Sequence, residues 1–305
     1  MKKIKNSIKS LMNHLPYIRV LYNENLTYKK NACFRPGHFY SPIVSVEDIK
    51  RREDSIWAAK DKESIEGIDL NAEQQIALVQ NFKSYYKDLP FEDKKKDDVR
   101  YNYENPHYSY TDAIFLFSML RHHKPKRIIE VGSGYSSAVM LDTNELFLDN
   151  RMKLTFIEPY PKRLKSLLKE KDKTQVTIVE ERVQHVPKDK FLELEAGDVL
   201  FIDSSHIVKT GSDVNYLLLE ILPIIKKGVF VHIHDIFYPF EYPKEWVYSG
   251  RNWNEDYLVR AFLMYNNAFE VVLFSHYLHL YHSAIFKEMP LCYKNPGGNL
   301  WLRKA

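Results

Sequence analysis

One stretch of this 305-residue chain, residues 127–137, constrains its fold more than any other. Residues 128–131 (Ile-Ile-Glu-Val) have the apolar content of a short buried strand. Gly132 and Gly134 then predict a sharp turn, because glycine adopts positive φ values cheaply and lets a ligand approach the main chain. Serines at 136 and 137 predict the capped start of a helix that continues to Leu141. A strand, a glycine turn and a helix N-terminus together offer free backbone N–H groups to a ligand.

After this turn, strand-like and helix-like segments alternate to the end of the chain. Further strands are predicted at residues 153–157, 175–179, 198–203, 229–233, 269–274 and, after a turn, 297–303. Helices are predicted at 162–169, 213–222 and 255–265. Near-continuous apolar strands joined by helices are typical of a parallel sheet that is buried on both faces. We therefore predict an α/β protein with a Rossmann-like, mostly parallel seven-stranded sheet and helices on both faces.

The first hundred residues have a different character. We predict that residues 1–100 form a mainly helical N-terminal extension, with an aromatic loop at residues 33–43 that caps the active site, and that residues 101–305 form the Rossmann-like domain. A capping-box pattern at Asn71 predicts a helix to about Tyr86. The mixed charge run at residues 92–100 is interpreted as a solvated loop and marks the domain boundary.

The N-terminal 30 residues are rich in lysine and contain one acid, Glu24. Apolar side chains recur at helical spacing from Ile4 to Leu15, and Pro16 is expected to end or kink that helix. Two interpretations remain open. The helix contacts an anionic membrane or a partner through its basic face, or it packs on the core of the protein and its basic face is solvated.

Composition excludes several classes of protein. The net charge of +4 is too small to argue for nucleic-acid binding. Cys33 and Cys292 form neither a CxxC motif nor a disulfide framework, which favours a reducing cytoplasm. No run of about 18 apolar residues predicts a membrane span, and the N-terminus lacks the apolar region of a signal peptide.

Charged residues follow most of the predicted strands. Glu158, Glu180, Asp203 and the pair His234-Asp235 each come at or just after a strand end. Ligands of open α/β sheets bind beyond the carboxyl ends of the strands, so these side chains are expected to converge on one edge. Chance would not often place acids after so many successive strands.

The strand-end acids narrow the type of cofactor. Glu158, after the second strand, is placed to accept hydrogen bonds from ribose hydroxyls. This suits NAD or an adenosyl cofactor. The NAD fingerprint needs a third glycine where this chain has Ser137, and bulky Tyr135 lies inside the turn. The C-terminal half also continues the same sheet and adds no second domain for a hydride acceptor.

These motifs together resemble those of class I S-adenosylmethionine-dependent methyltransferases over about residues 108–305. Within that class, residues 201–206 followed by residues 234–237 are similar to small-molecule O-methyltransferases of the catechol and macrolide-sugar type. The resemblance implies a set of cofactor-binding residues: Glu130, Gly132, Gly134 and Ser136 at the methionine end, Glu158 at the ribose, Gln184 at the adenine and Asp203 near the reactive methyl group.

The resemblance leaves two routes for activating an acceptor hydroxyl. In metal-dependent members, the positions of Asp203, His234 and Asp235 hold a divalent cation such as Mg²⁺. Here His234 departs from the usual acid, and Mg²⁺ prefers oxygen ligands. The other route uses His206 or His234 as general base, held by Asp203 or Asp235. The histidine favours this second route, and His206, His234 and Asp235 are the predicted catalytic residues.

Aromatic segments are the predicted substrate wall. Tyr40, Tyr108, Tyr110 and Tyr238 lie in segments where aromatic residues stand close to prolines. We expect them to cover the strand ends and stack on the acceptor. The alternative is that they pack the N-terminal extension onto the sheet.

The sequence therefore predicts an S-adenosylmethionine-dependent methyltransferase that methylates a hydroxyl of a small molecule or sugar. Two other functions remain open: an NAD-dependent oxidoreductase, and a non-catalytic cofactor-binding scaffold that docks through its basic N-terminal helix. Nucleic-acid methylation is not expected, since there is neither a basic stripe nor a motif for a flipped base. The acceptor's identity and the oligomeric state are left open.

Overall fold

A computed structural model describes residues 15–58 and 62–305, and within them seven strands form one sheet. The strands are β1 (Arg127–Val131), β2 (Lys153–Ile157), β3 (Thr177–Val179), β4 (Val199–Ile202), β5 (Phe230–Ile233), β6 (Phe269–Phe274) and β7 (Leu300–Lys304). Their order is β3-β2-β1-β4-β5-β7-β6. The pairs among β1 to β5 are parallel, and β7 pairs antiparallel with both β5 and β6. The predicted Rossmann-like, mostly parallel sheet of seven strands is confirmed.

Helices precede and alternate with these strands. They are α1 (Pro16–Asn31), α2 (Val46–Arg51), α3 (Glu53–Trp57), α4 (Ala72–Tyr86), α5 (Thr111–His123), α6 (Tyr135–Phe147), α7 (Lys162–Leu167), α8 (Asp189–Leu192), α9 (Asp213–Tyr216), α10 (Lys244–Tyr248), α11 (Glu255–Leu263) and α12 (Ser275–Tyr281). A π-helical turn at Leu217–Ile221 continues α9, and short 3₁₀ turns occupy Glu170–Thr174, Val183–His185, Ser283–Glu288 and Pro290–Lys294. Strands β4 and β5 are buried along their whole length, as expected for strands covered on both faces.

The chain divides into two compact units. Of the described residues, 15–56 and 247–252 form one unit, and 57–58, 62–246 and 253–305 form the other. The second unit contains the whole sheet, together with residues 57–100, of which α4 packs on α5. The domain boundary expected at residue 100 stays a prediction.

The end of the charged run before the first strand differs from expectation. We expected residues 92–100 to be a solvated loop, but Val99 and Arg100 are buried. The Arg100 guanidinium donates to Asp142 at 2.7 Å and to Asp172 at 2.5 Å and 2.7 Å. These carboxylates offset the cost of burying the arginine, because each donor has a charged acceptor.

Two other local expectations are affected by the structure. Helix α4 begins where it was predicted, yet Asn71 does not cap it. Asn71 has φ of 50°, and its amide donates to the Val271 carbonyl at 3.1 Å. Pro16 is the first residue of α1. The helix predicted from Ile4 to Leu15 lies outside the described residues except for Leu15. Among the helices that the structure describes, none has the length and apolar character needed to span a membrane.

Candidate active site

The turn after β1 needs glycine at its first position. Gly132 has φ of +83°, and its N–H donates to the Ile157 carbonyl at 3.0 Å. A Cβ on Gly132 would lie 1.6 Å from the carbonyl oxygen of Asp203. The close approach that requires glycine is therefore the backbone after β4, which brings Asp203 beside the turn.

Gly134 has a different role from the one expected of a turn glycine. Its φ of −178° is extended backbone that any residue adopts. A Cβ at this position would lie 3.1 Å from Cδ of Arg163. The missing side chain therefore makes room for Arg163.

A buried acid holds the start of α6. Glu130, on β1, is fully buried and accepts hydrogen bonds from the hydroxyls of Ser136 (2.5 Å) and Ser137. The Ser137 hydroxyl also accepts the Gly134 N–H at 3.0 Å. Burial raises the pKa of Glu130 to about 8, despite these hydrogen bonds. Glu130 thus lies beneath the turn and orders the first residues of α6.

Glu158 lies just beyond β2 at the same edge. One of its carboxylate oxygens accepts the Ser133 N–H at 3.3 Å, and the other accepts the Tyr160 N–H at 2.8 Å. The acid is therefore held beside the glycine turn by backbone donors.

Two adjoining cavities follow this edge of the sheet and share Gly132, Glu158 and Asp203 in their walls. The larger one has a volume of about 410 Å³ and includes Gln184, whose amide donates to the Gly211 carbonyl at 2.9 Å. The smaller one, of about 290 Å³, is lined by further predicted residues: Tyr108, Gly134, Ser136, His206, His234 and Asp235. The structure thus brings most of the predicted cofactor and catalytic residues together.

His206 lies at the centre of a group of carboxylates. Its Nδ1 is 2.9 Å from Glu255, and its Nε2 is 3.4 Å from Asp203 and 3.7 Å from Asp235. Burial disfavours the charged ring, but hydrogen bonds with Asp203 and Glu255 outweigh that effect and raise the pKa of His206 well above its usual value. The ring also packs on Trp253, with centroids 4.4 Å apart.

Helix α11 holds this histidine from outside the strand edge. The backbone carbonyl of His206, a residue with φ of +59°, accepts the N–H groups of Asn254 (3.1 Å) and Glu255 (3.3 Å). Glu255 is fully buried at the first turn of α11. Our sequence reasoning predicted the helix but did not single out Glu255, because its role depends on where the helix packs.

His234 and Asp235 extend the cluster. His234 Nε2 lies 3.5 Å from Asp235, and its ring centroid is 4.9 Å from that of Tyr108. Burial opposes protonation of His234, yet Asp235 and Asp203 raise its pKa. The pKa of Asp203 is shifted in the opposite direction, below its ordinary value. Burial would raise its pKa, but the charges of His234 and His206 hold that pKa below the ordinary value.

A second acid that the sequence analysis missed lies behind Asp235. Asp112, at the start of α5, accepts the Gly298 N–H and the Asn299 side-chain amide, each at 3.0 Å. Burial raises its pKa to about 6. A Cβ on Gly298 would lie 2.8 Å from Cα of Asp235. Asp112 therefore fixes a loop that packs directly against the catalytic edge.

The four predicted substrate tyrosines lie in different places. Tyr108 lines the smaller cavity. The Tyr110 hydroxyl donates to Asp93 at 3.2 Å, and its ring stacks on Tyr103. Tyr238 is fully buried and donates to the Lys62 carbonyl at 2.5 Å. Tyr40 belongs to the other compact unit and is 68% exposed. Among the three tyrosines of the larger unit, Tyr108 is the one that lies with the predicted catalytic residues, and a substrate role for all four tyrosines stays a prediction.

The described side chains do not form a recognisable metal centre. Among residues 15–58 and 62–305, no group of three or more His, Cys, Asp or Glu side chains is arranged to hold a metal ion. The predicted cation site at Asp203, His234 and Asp235 stays a prediction.

The fold and this edge define a Rossmann-like methyltransferase, and comparison with known proteins agrees. Residues 129–236 match the family model described as a methyltransferase domain. An uncharacterized protein of Archaeoglobus fulgidus is 30% identical over 154 residues, which are 50% of this chain and 70% of that protein. The chain belongs to the class I S-adenosylmethionine-dependent methyltransferases.

Solved structures give weaker likenesses. The SAM complex of the O-methyltransferase TomG from Streptomyces achromogenes has a TM-score of 0.44 and 14% identity, over 78% of this chain and 100% of that one. The SAH-bound methyltransferase PaMTH1 from Podospora anserina has a TM-score of 0.40 and 15% identity, over 84% and 96%. A cmcI–SAH complex has a TM-score of 0.31 and 14% identity, over 49% of this chain and 65% of that one, just under two thirds of its length. At these scores the likenesses carry no weight for substrate or mechanism.

Proposed function

We propose that this protein transfers a methyl group to a hydroxyl oxygen of a small molecule or sugar. The observation that supports the proposal most directly is the position of His206. It lies with Asp203 and Asp235 in the wall of a cavity that continues past Gly132 and Glu158. One edge of the sheet thus offers residues for an adenosyl cofactor beside residues that manage a proton.

The chain has suitable groups for each part of S-adenosylmethionine. Gln184 lies in the larger cavity, Glu158 adjoins both cavities, and the glycine turn borders the smaller one. In the proposal, Gln184 contacts the adenine, Glu158 binds the ribose hydroxyls, and Gly132 to Ser136 line the methionine end. When bound, S-adenosylmethionine supplies an electrophilic methyl group on a sulfonium.

The protein must then align the acceptor and remove its proton. The neutral form of the His206 ring, which predominates only above its raised pKa, would take the hydroxyl proton on Nε2 as the acceptor oxygen receives the methyl group and S-adenosylhomocysteine is released. Asp203, Asp235 and Glu255 surround the imidazolium that results. Their negative charges stabilise it, so the acceptor oxygen gives up its proton more easily.

Cofactor preference is the first test. Heat denaturation with S-adenosylhomocysteine is expected to raise the melting temperature, because a ligand that binds the folded state stabilises it. NAD(H) is the control. Stabilisation by NAD(H) without stabilisation by S-adenosylhomocysteine would favour an oxidoreductase and refute the proposal. The Glu158→Gln variant is expected to bind S-adenosylhomocysteine at least ~10-fold more weakly, because it removes a charged acceptor for the ribose.

Transfer itself is tested with methyl-labelled S-adenosylmethionine and a panel of catechols, sugars and glycosides. Label is expected on oxygen, and His206→Gln is expected to lose turnover while it keeps binding of S-adenosylhomocysteine. Label on nitrogen or carbon would contradict the hydroxyl assignment. If EDTA abolishes turnover and Mg²⁺ restores it, the metal route replaces the general-base route.

The basic N-terminal segment is a separate proposal. If residues 1–30 dock on an anionic membrane, the full chain is expected to sediment with phosphatidylserine-containing vesicles, and a chain without these residues is expected to stay in the supernatant. Equal behaviour of the two chains would favour internal packing of this segment.

A further inference from the structure

Arg163 is a charged residue of the smaller cavity that the proposed chemistry does not use. It lies on α7, and its side chain passes over Gly134, in the space that a Cβ there would restrict. Of the residues that line this cavity, Arg163 is the one arginine or lysine. Within residues 15–58 and 62–305, no carboxylate forms an ion pair with its guanidinium.

Apart from tyrosines, the other ionisable residues that line this cavity are acids and histidines. Glu158, Asp203 and Asp235 are acids, His206 and His234 lie within 3.4–3.7 Å of Asp203 or Asp235, and the charge of His107 acts on Asp203. The acids suit the positive sulfonium and ammonium groups of the cofactor. They do not suit its carboxylate, which needs a cation that is not already engaged.

We propose that Arg163 binds the carboxylate at the methionine end of S-adenosylmethionine. The proposal rests on the cofactor assignment of the proposed function and adds a residue to it. Arginine offers a planar fork of N–H donors that matches a carboxylate. Gly134 contributes because the absence of its side chain leaves room for the arginine stem.

A carboxylate on the methyl acceptor would satisfy the same chemistry. The two sources are distinguished by binding measurements without acceptor. The probes are S-adenosylhomocysteine and its decarboxylated analogue, which keeps the adenosine, the thioether and the amine. Calorimetry on the full chain is expected to show that the wild-type protein binds S-adenosylhomocysteine at least ~10-fold more tightly than the analogue.

The Arg163→Gln variant is expected to lose that preference. Its affinity for S-adenosylhomocysteine should fall at least ~10-fold, and its affinity for the decarboxylated analogue should change less than ~2-fold. Arg163→Lys should restore part of the preference, since it keeps the charge but not the fork. The matched control is Arg182→Gln, at an arginine that lines the larger cavity, and it should weaken both ligands equally or neither.

The outcomes separate the two proposals. If Arg163→Gln keeps the full preference for the carboxylate-bearing ligand, or weakens both ligands equally, Arg163 does not bind this carboxylate. Unchanged cofactor affinity, with weaker binding of a carboxylate-bearing acceptor, assigns the residue to the acceptor and overturns the proposal. If the wild-type protein binds neither ligand, the proposed function itself fails. Unliganded melting temperatures verify folding, and Arg163→Lys serves if the glutamine variant does not fold.

Discussion

The acid beneath the glycine turn makes the stability of this protein depend on pH in an unusual direction. Burial raises the pKa of Glu130 from an ordinary value of 4.5 to about 8. Below pH ~4.5 the carboxyl is protonated in both the folded and the unfolded chain. As the pH rises from there to 8, the unfolded chain releases its proton and the folded chain retains it. The free energy of unfolding therefore falls through this window, and above pH 8 the full loss remains but no longer changes with pH through Glu130.

The magnitude follows from the width of that window. Each pKa unit corresponds to 1.36 kcal/mol, so Glu130 removes at most about 5 kcal/mol of stability between pH 4.5 and pH 8. The Glu130→Gln variant has nearly the same shape and does not titrate. The glutamine oxygen can accept a hydrogen bond from one serine hydroxyl. The other serine hydroxyl must turn and accept a hydrogen bond from the glutamine NH₂ group. We expect a fixed cost for that exchange and no pH-dependent cost.

The assay is urea unfolding of the wild type and Glu130→Gln at pH 5, 7 and 9. The free energy of unfolding of the variant minus that of the wild type is expected to increase by several kcal/mol between pH 5 and pH 9, because the wild type alone loses stability. Glu180→Gln, at an exposed acid, is the matched control against which this change is measured. If the difference in unfolding free energy between Glu130→Gln and the wild type is the same at all three pH values, the raised pKa of the buried acid is refuted.

Three further substitutions test other parts of the edge. Gly132→Ala should lower the free energy of unfolding by at least ~3 kcal/mol and abolish S-adenosylhomocysteine binding, because positive φ disfavours alanine and the new Cβ collides with the Asp203 carbonyl. Melting and binding curves like those of the wild type would contradict this. Asp112→Ala should lower the unfolding free energy by about 2–4 kcal/mol, because the substitution leaves two buried donors of the Gly298 loop without an acceptor. A denaturation midpoint within error of the wild-type value would disprove this prediction. Glu255→Gln should lower the pKa of His206, since the carboxylate beside Nδ1 is lost. An unchanged histidine titration by NMR would show that Glu255 does not set this pKa.

The strand-end residues were predictable because their positions follow from local pattern and general topology. Buried strands are recognisable as short apolar runs, and parallel strands place their carboxyl ends at one edge. Glu158, Asp203 and His234 could therefore be assigned to one site without a structure. The same reasoning predicted the fold class and the methyltransferase class, and both are confirmed.

Residues that reach the site from other elements were not predictable in this way. Glu255 and Asp112 each start a helix, and many helices begin with an acid for reasons of capping and dipole alone. Their partners, His206 and the Gly298 loop, are 49 and 186 residues away in sequence. No local pattern encodes such a separation.

The sequence by itself determined which strands form, where the glycine turn lies and which charged residues stand at the strand ends, since each of these depends on neighbouring residues. The tertiary structure decided which side chains surround His206, why Gly132 must be glycine and where the predicted tyrosines lie. The physical reason is that burial and charge act through space. Burial raises the pKa of Glu130 to about 8, and the Arg163 side chain passes over Gly134 through space that a Cβ there would narrow.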